Sequence, residues 1–119
     1  MNVIVLGASA NECRYSNMAV KRLKENGHNV FPVHKVAKEI HGLCVYHGLS
    51  DVKEEIHTIS VYVNKEVSDC MASEILSLKP KRIIFNPGAE NNDLKKIAEK
   101  EGIEVLYACT LVMLASGTF

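Results

Sequence analysis

The sequence has no excess of charge of either sign, because 14 basic and 14 acidic side chains give a formal net charge of zero. Nucleic acids and anionic membranes are held mainly through a basic excess that releases counterions, so neither is expected as a partner. No apolar run approaches the roughly 18 residues that span a bilayer, and the start at Met1 lacks the basic region of a signal peptide. We therefore expect a cytoplasmic protein in which any anion-binding site is local.

Proline and glycine are sparse, with 3 and 7 residues among 119, while 47% of the chain is hydrophobic. This composition excludes a disordered or low-complexity chain. A chain of this length is expected to bury roughly two-thirds of its unfolded surface in one core. We therefore predict a single domain over residues 1–119.

The cysteines lack both the paired CxxC spacing of zinc ligands and the density of a disulfide framework. They stand at four separate positions, namely Cys13, Cys44, Cys70 and Cys109. We expect reduced thiols, most of them buried.

Five short hydrophobic segments predict strands over residues 3–6, 29–33, 58–63, 82–85 and 103–107. Helices are predicted over residues 16–23, 51–55, 69–78 and 92–100, with Ser16, Ser68 and Asn92 as N-caps. The tail from Cys109 predicts a last helix. This alternation indicates right-handed crossovers and an α/β fold of three layers, with a Rossmann-like, doubly wound parallel sheet of five strands in the order 3-2-1-4-5.

The first loop of this fold carries residue types that suit a phosphate. In a doubly wound sheet the ligand lies beyond the carboxyl ends of the strands, where the strand order reverses. The predicted order places loops 7–16 and 86–92 on either side of that crevice. The turn Gly7-Ala8-Ser9 offers backbone N–H groups and a hydroxyl beside a helix dipole. Tight packing of small residues is the simpler reading of the same turn.

The run Arg14-Tyr15-Ser16, later in the same loop, favours the ligand-binding interpretation. The Arg14 guanidinium can form a fork onto a phosphate, and the Tyr15 ring can lie against a base or a pantetheine arm. Ser16 can cap the helix and donate to an anion. A solvated arginine and a partly buried tyrosine remain the alternative.

Two features count against NAD as the ligand. The turn departs from GxGxxG, because Ser9 and Glu12 stand where that motif has glycine. NAD sites also place an acidic residue near the end of the second strand, whereas here His34 and Lys35 follow that strand. Because Lys35 suits a phosphate better than a free diol, coenzyme A or NADP is favoured over NAD.

A series of short motifs follows the whole chain in order. It comprises Gly7-Ala8-Ser9, Arg14-Tyr15-Ser16-Asn17, residues 27–33, Glu39-Ile40-His41-Gly42, Val45-Tyr46, residues 61–64, residues 81–91 and Cys109. Their order and spacing resemble the small CoA-binding protein family. Members of that family are single Rossmann-like domains, similar to the CoA-binding domain in the alpha subunit of succinyl-CoA synthetase.

The resemblance implies where the parts of CoA lie across the strand ends. The phosphates would lie near Gly7, Ala8, Ser9 and Arg14, and Pro32 and Val33 would border the adenine. Tyr62, Val63 and Asn64 would follow the nucleotide and pantetheine, and Asn86, Pro87 and Gly88 would flank the arm. One departure affects the adenine edge, because His34 and Lys35 stand where many relatives carry a proline.

No pattern of catalytic or metal-ligating residues is visible. The five histidines lack HExxH or paired ligand spacing, and residues 90–93 are interpreted as a helix cap rather than a metal cluster. Cys13 is the best candidate for a reactive thiol, and the hypothesis extends to a mixed disulfide between Cys13 and the CoA thiol. We expect a non-catalytic module that binds CoA or an acyl-CoA. The alternatives are an NAD(P)-binding redox enzyme or sensor domain and a protein-interaction subunit.

The apolar tail over residues 111–115 is expected either to cover the sheet or to pair with another subunit.

Overall fold

The computed structural model describes residues 1–119. In chain order the elements are β1 (Asn2–Leu6), α1 (Tyr15–Glu25), β2 (Asn29–Val33), β3 (Glu39–Ile40), β4 (Leu43–Cys44), a 3-10 turn (Leu49–Asp51), β5 (Thr58–Val61), α2 (Lys65–Cys70), α3 (Ala72–Ser77), β6 (Arg82–Phe85), α4 (Asn92–Lys100), β7 (Glu104–Tyr107) and α5 (Thr110–Ser116). None of the helices has the length and apolar character needed to cross a membrane.

Five of these strands form one parallel sheet in the order β2-β1-β5-β6-β7, and β3 and β4 form a separate antiparallel hairpin. Helices cover both faces of the sheet, which confirms the α/β, Rossmann-like fold class. Alternate side chains of each strand enter two core clusters. Ile4 and Leu6 pack with residues of α3 and α4, while Val3 and Val5 pack against α1 and α5. Burial on both faces explains why the strands are apolar without interruption.

The place of one strand differs from the predicted order. Counting only the five core strands, the order is 2-1-3-4-5, because β5 pairs directly with β1 and does not lie beyond β2. All four residues of β5 are fully buried, so this strand needs a neighbour on each side. β2 is the strand that suits an edge, because its Pro32 has no N–H to donate.

The helix boundaries also differ from the predicted ones at their amino ends. Arg14 is the N-cap of α1, and Ser16 lies inside the helix with 5% of its surface exposed. Asn91 rather than Asn92 caps α4, through its side-chain oxygen and the Leu94 N–H at 3.0 Å. Neighbouring asparagines have equal capping propensity, so the tertiary contacts of Asn91 decide between them.

The predicted helix over residues 69–78 is divided in two. The chain turns at Met71 between α2 and α3, and the Asn64 side chain caps α2 by accepting from the Val67 N–H at 3.0 Å. Ser68, the predicted cap, is buried and donates to the Lys65 carbonyl. The predicted helix over residues 51–55 is only the 3-10 turn, and the β3–β4 hairpin was not predicted.

The cysteines and the tail give one correction and one confirmation. All four thiols are free, but Cys13, Cys44 and Cys70 are exposed, so the expectation of mostly buried cysteines is wrong. These three residues lie in a loop, in the outer hairpin and at the end of a short helix. The apolar tail forms α5, with Met113 buried, and covers the sheet through Leu114, which packs against the core cluster that contains Val3 and Val5.

Gly7 and Gly27 provide a matched test of how tightly the end of β1 is packed. Both have positive φ, +86° and +82°, but an added Cβ would lie 2.9 Å from Val63 Cγ1 at Gly7 and within 4 Å of nothing at Gly27. Gly27→Ala is expected to lose only about 1 kcal/mol of unfolding free energy through left-handed strain. Gly7→Ala is expected to lose roughly 2–3 kcal/mol, because the clash adds to the strain. Urea denaturation measures both, and equal losses would rule out the Val63 contact as the cause.

Candidate functional site

The strand order places the topological switch point between β1 and β5. The chain leaves β1 toward β2 in one direction and continues from β5 toward β7 in the other, so a ligand crevice is expected where these directions diverge. The loop after β1 therefore meets the loop after β5, and Gly7 lies against Val63. The predicted position of the crevice, between β1 and β6, is therefore wrong. β5 lies between these two strands, so residues 62–64 separate loop 7–16 from loop 86–92.

The first two residues of the loop after β1 use their backbone donors internally. The N–H groups of Gly7 and Ala8 both donate to the Val33 carbonyl, each at 3.1 Å. The Ala8 side chain is fully buried in the core. These residues therefore close the ends of β1 and β2 together, and neither N–H is free for a phosphate.

Residues 9–13 form a local network that leaves other donors unused. Ser9 Oγ accepts from the Asn11 N–H at 3.1 Å, and Asn11 Oδ1 accepts from the Cys13 N–H at 2.9 Å. The backbone N–H groups of Ser9, Ala10 and Glu12 donate to no protein atom. Of these unbonded donors, Ser9 belongs to the predicted turn Gly7-Ala8-Ser9, and Ala10 and Glu12 lie one and three residues beyond it.

The side chains at the start of α1 differ in their accessibility. Arg14 is exposed and Tyr15 is 71% exposed, so both the guanidinium and the ring are free to contact a ligand. The buried Ser16 side chain faces the protein interior. Cys13 is exposed within the same loop. Of the predicted trio, Arg14 and Tyr15 have the accessibility that ligand contact requires.

Pro32 and Val33 lie at the carboxyl end of β2 with their side chains buried. The Pro32 carbonyl accepts from the Tyr46 N–H at 2.9 Å, and the His34 N–H donates back to the Tyr46 carbonyl at 3.0 Å. The segment at Tyr46 thus covers the outer edge of β2. Lys35 is exposed immediately beyond this strand.

The loop after β5 combines an exposed residue with a buried hydroxyl. Asn64 is exposed and caps α2, and Val63 packs partly against the core. The Tyr62 hydroxyl is buried without a hydrogen bond, and the nearby hydroxyls of Ser60 and Thr110 pair with each other at 2.8 Å. Burial, with a smaller effect of the neighbouring Cys109, raises the pKa of Tyr62 to about 12.

Asn86 is a structural anchor that sequence reasoning placed only beside the ligand. It is 1% exposed, and its Nδ2 donates to Ser60 Oγ at 2.9 Å and to the Val61 carbonyl at 3.0 Å. Its Oδ1 accepts from the Thr110 N–H at 2.8 Å, which joins the start of α5 to the sheet. In the sequence, the signal for this anchoring role was an asparagine directly after a buried strand. Pro87 and Gly88, which follow it, are exposed.

An open groove of about 500 Å³ lies beside this edge, over the outer face of α1. Glu12, Asn17 and His41 line one part of it, and Leu111 and Leu114 of α5 line another. The groove reaches the loop after β1 at Glu12 but does not cover the switch point. The candidate site is therefore an exposed edge of the sheet with a groove adjoining it.

The chain matches the family described as CoA binding domain over residues 1–115. The chain belongs to the CoA-binding domain family. This membership agrees with the resemblance found from the short motifs along the sequence. None of the curated proteins matches the chain.

Several solved structures share the fold of this chain. An uncharacterised protein is 40% identical, with a TM-score of 0.89 over 99% of this chain and 97% of that one. A Thermus thermophilus protein is 25% identical, with a TM-score of 0.89 over 99% and 90% of the two chains. A region of acetyl-coenzyme A synthetase 1 from Candidatus Korarchaeum cryptofilum is 21% identical with a TM-score of 0.74, covering 90% of this chain and 25% of that one. This last likeness concerns the fold alone.

The buried Tyr62 hydroxyl predicts how stability changes at alkaline pH. The unfolded chain loses this proton near pH 10.0, and the folded chain retains it until about pH 12. The resulting contribution to stability is complete below pH 10.0 and is lost as the pH rises through about 12. Tyr62→Phe should therefore make the free energy of unfolding fall less steeply over that interval, as followed by urea denaturation.

Two comparisons check this explanation. At neutral pH, Tyr62→Phe is expected to be about as stable as the wild type, because the lost hydroxyl makes no hydrogen bond. Tyr15→Phe removes an exposed hydroxyl and should leave the alkaline slope unchanged. A Tyr62→Phe slope identical to that of the wild type would contradict burial as the cause.

Proposed function

We propose that this protein binds coenzyme A or an acyl-CoA at the carboxyl edge of its parallel sheet, as a module that does not catalyse a reaction by itself. The observation that carries the proposal is the loop after β1. At the switch point, this loop presents unbonded N–H groups at Ser9, Ala10 and Glu12 close in sequence to the exposed Arg14. Membership of the CoA-binding domain family supports coenzyme A as the ligand class.

The chemistry of the loop suits a diphosphate. Backbone N–H groups ahead of a helix and the positive end of its dipole attract anions, and α1 begins directly after Arg14. A guanidinium adds charge-assisted hydrogen bonds in a fork that matches phosphate oxygens. Because the net charge of the chain is zero, this attraction is local to the loop.

The proposed residues divide into those that contact the ligand and those that hold the site. Arg14, Tyr15, Asn64 and the exposed turn at Pro87 and Gly88 would offer accessible groups to the nucleotide and the pantetheine arm. The residues with buried side chains, or with N–H groups that already donate to the protein, would hold the site in place without contacting the ligand through those groups. These residues are Gly7, Ala8, Ser16, Pro32, Val33 and Asn86.

The phosphorylated adenosine of CoA would lie beyond β2. Lys35 is exposed there, and a lysine supplies a point charge that suits a phosphate.

We also propose that residues 1–119 act as one domain, because a single sheet runs through the chain and α5 packs back against α1.

A calorimetric titration with four ligands tests the proposed function. CoA should bind more tightly than dephospho-CoA, NADP and NAD. Weaker binding of dephospho-CoA would support a basic contact to the 3′-phosphate. Tighter binding of NADP or NAD than of CoA would favour a redox enzyme or sensor instead. No heat with any of the four ligands would favour a protein-interaction subunit.

Arg14→Ala tests the guanidinium. The substitution is expected to weaken CoA binding by roughly 1.5 to 3 kcal/mol, because it removes a charge-assisted hydrogen bond to a phosphate. Lys96→Ala removes one positive charge from an exposed position on α4 and serves as the control. An affinity for CoA that is the same in Arg14→Ala and Lys96→Ala would remove Arg14 from the site.

A further inference from the structure

The loop that carries the free N–H groups is held by a buried asparagine. Asn17 lies in the first turn of α1 and is 4% exposed. Its Nδ2 donates to the Ser9 carbonyl at 2.8 Å. Its Oδ1 lies 2.7 Å from His41 Nε2. Because an amide oxygen accepts only, His41 Nε2 must carry the proton and donate it to Asn17.

His41 is itself held at the turn of the β3–β4 hairpin. Its backbone has a φ of +50°, in the left-handed region that non-glycine residues rarely adopt. The Lys24 ammonium donates to the His41 carbonyl at 2.8 Å. The two contacts, one to the ring and one to the carbonyl, fix the turn against both ends of α1. A chain of hydrogen bonds therefore runs from the hairpin through Asn17 to the loop after β1.

The Ser9 carbonyl is the point at which this chain meets the proposed diphosphate site. Beyond Ser9, the loop is organised by local contacts, from the Asn11 N–H to Ser9 Oγ, from the Cys13 N–H to Asn11 Oδ1 and from the Arg14 N–H to the Asn11 carbonyl at 3.0 Å. These contacts set the positions of Arg14 and the free N–H groups relative to Ser9. A change in the anchor at Ser9 would therefore move the whole set of donors.

We propose that Asn17 and His41 are positioning residues for the diphosphate of the ligand. Neither residue needs to touch the ligand, because they act by fixing the Ser9 carbonyl and with it the loop over residues 9–14. His41 Nε2 keeps the Asn17 amide oriented so that its Nδ2 faces Ser9. The inference rests on the proposed CoA-binding function and adds the hairpin as a structural part of that site.

The test compares three single variants with the wild type in titrations with CoA. His41→Ala removes the donor to Asn17 and should weaken CoA binding roughly 5- to 30-fold, the change produced by losing about one to two kcal/mol. His41→Gln should restore affinity to within about threefold of the wild type, because its amide nitrogen can donate to Asn17.

His57→Ala is the matched control at the opposite edge of the sheet. His57 directly precedes β5, and its Nδ1 lies 2.8 Å from Thr58 Oγ1. This variant also loses one histidine hydrogen bond, but that bond lies at the amino edge of the sheet, away from the proposed site. Its CoA affinity is expected to stay within about twofold of the wild type, even where its melting temperature falls as much as that of His41→Ala.

Each outcome separates the positioning role from a general role in stability. Amide NMR signals of Ser9, Ala10 and Glu12 should shift in His41→Ala and resemble those of the wild type in His41→Gln. Unchanged CoA affinity in His41→Ala would overturn the positioning role while leaving CoA binding intact. Equal weakening in His41→Gln or His57→Ala would also overturn it. Absence of CoA binding by the wild type would instead overturn the proposed function, and the positioning role with it.

Discussion

The close approach of three strand ends at Gly7 is the constraint on which the candidate site depends. The N–H groups of Gly7 and Ala8 meet the Val33 carbonyl on one side, and the Val63 side chain leaves no room for a Cβ on the other. With its backbone in the left-handed region, Gly7 turns the chain out of the sheet between β2 and β5. The loop that follows then projects beyond the carboxyl edge, at the point where the strand order reverses.

Behind this edge, buried amides connect elements that hydrophobic packing alone would leave free to shift. Asn86 joins β6 to β5 and α5, Asn17 joins α1 to the loop after β1 and to the hairpin, and Asn91 joins α4 to α2 through Ser68 and Asp69. Each amide is almost fully buried and has both its donor and its acceptor satisfied. Such contacts are directional, so they fix the relative positions of loops that apolar contacts only hold together. The exposed Arg14 and Tyr15 can then be presented on a rigid frame.

The fold class and the family were predictable because they depend on patterns that are local or repeat along the chain. Apolar runs identify the five core strands, and small residues after β1 identify the loop at the sheet edge. The strand order was not predictable in the same way. Both 3-2-1-4-5 and 2-1-3-4-5 obey right-handed crossovers, and the choice depends on which strand can occupy an edge. Full burial of β5 and the proline in β2 decide it in favour of the second order.

By itself, the sequence determined the alternation of strands and helices, the membership of a CoA-binding family and the loops in which a ligand site should lie. The tertiary structure decided which atoms of those loops remain available. Gly7 and Ala8 were expected to offer N–H groups, yet the Val33 carbonyl takes both, and Ser16 and Asn86 turn inward. A hydrogen bond between residues distant in the chain depends on how strands and helices are placed in space. Residue type shows that a group can donate or accept, and only packing determines whether its partner is the protein or a ligand.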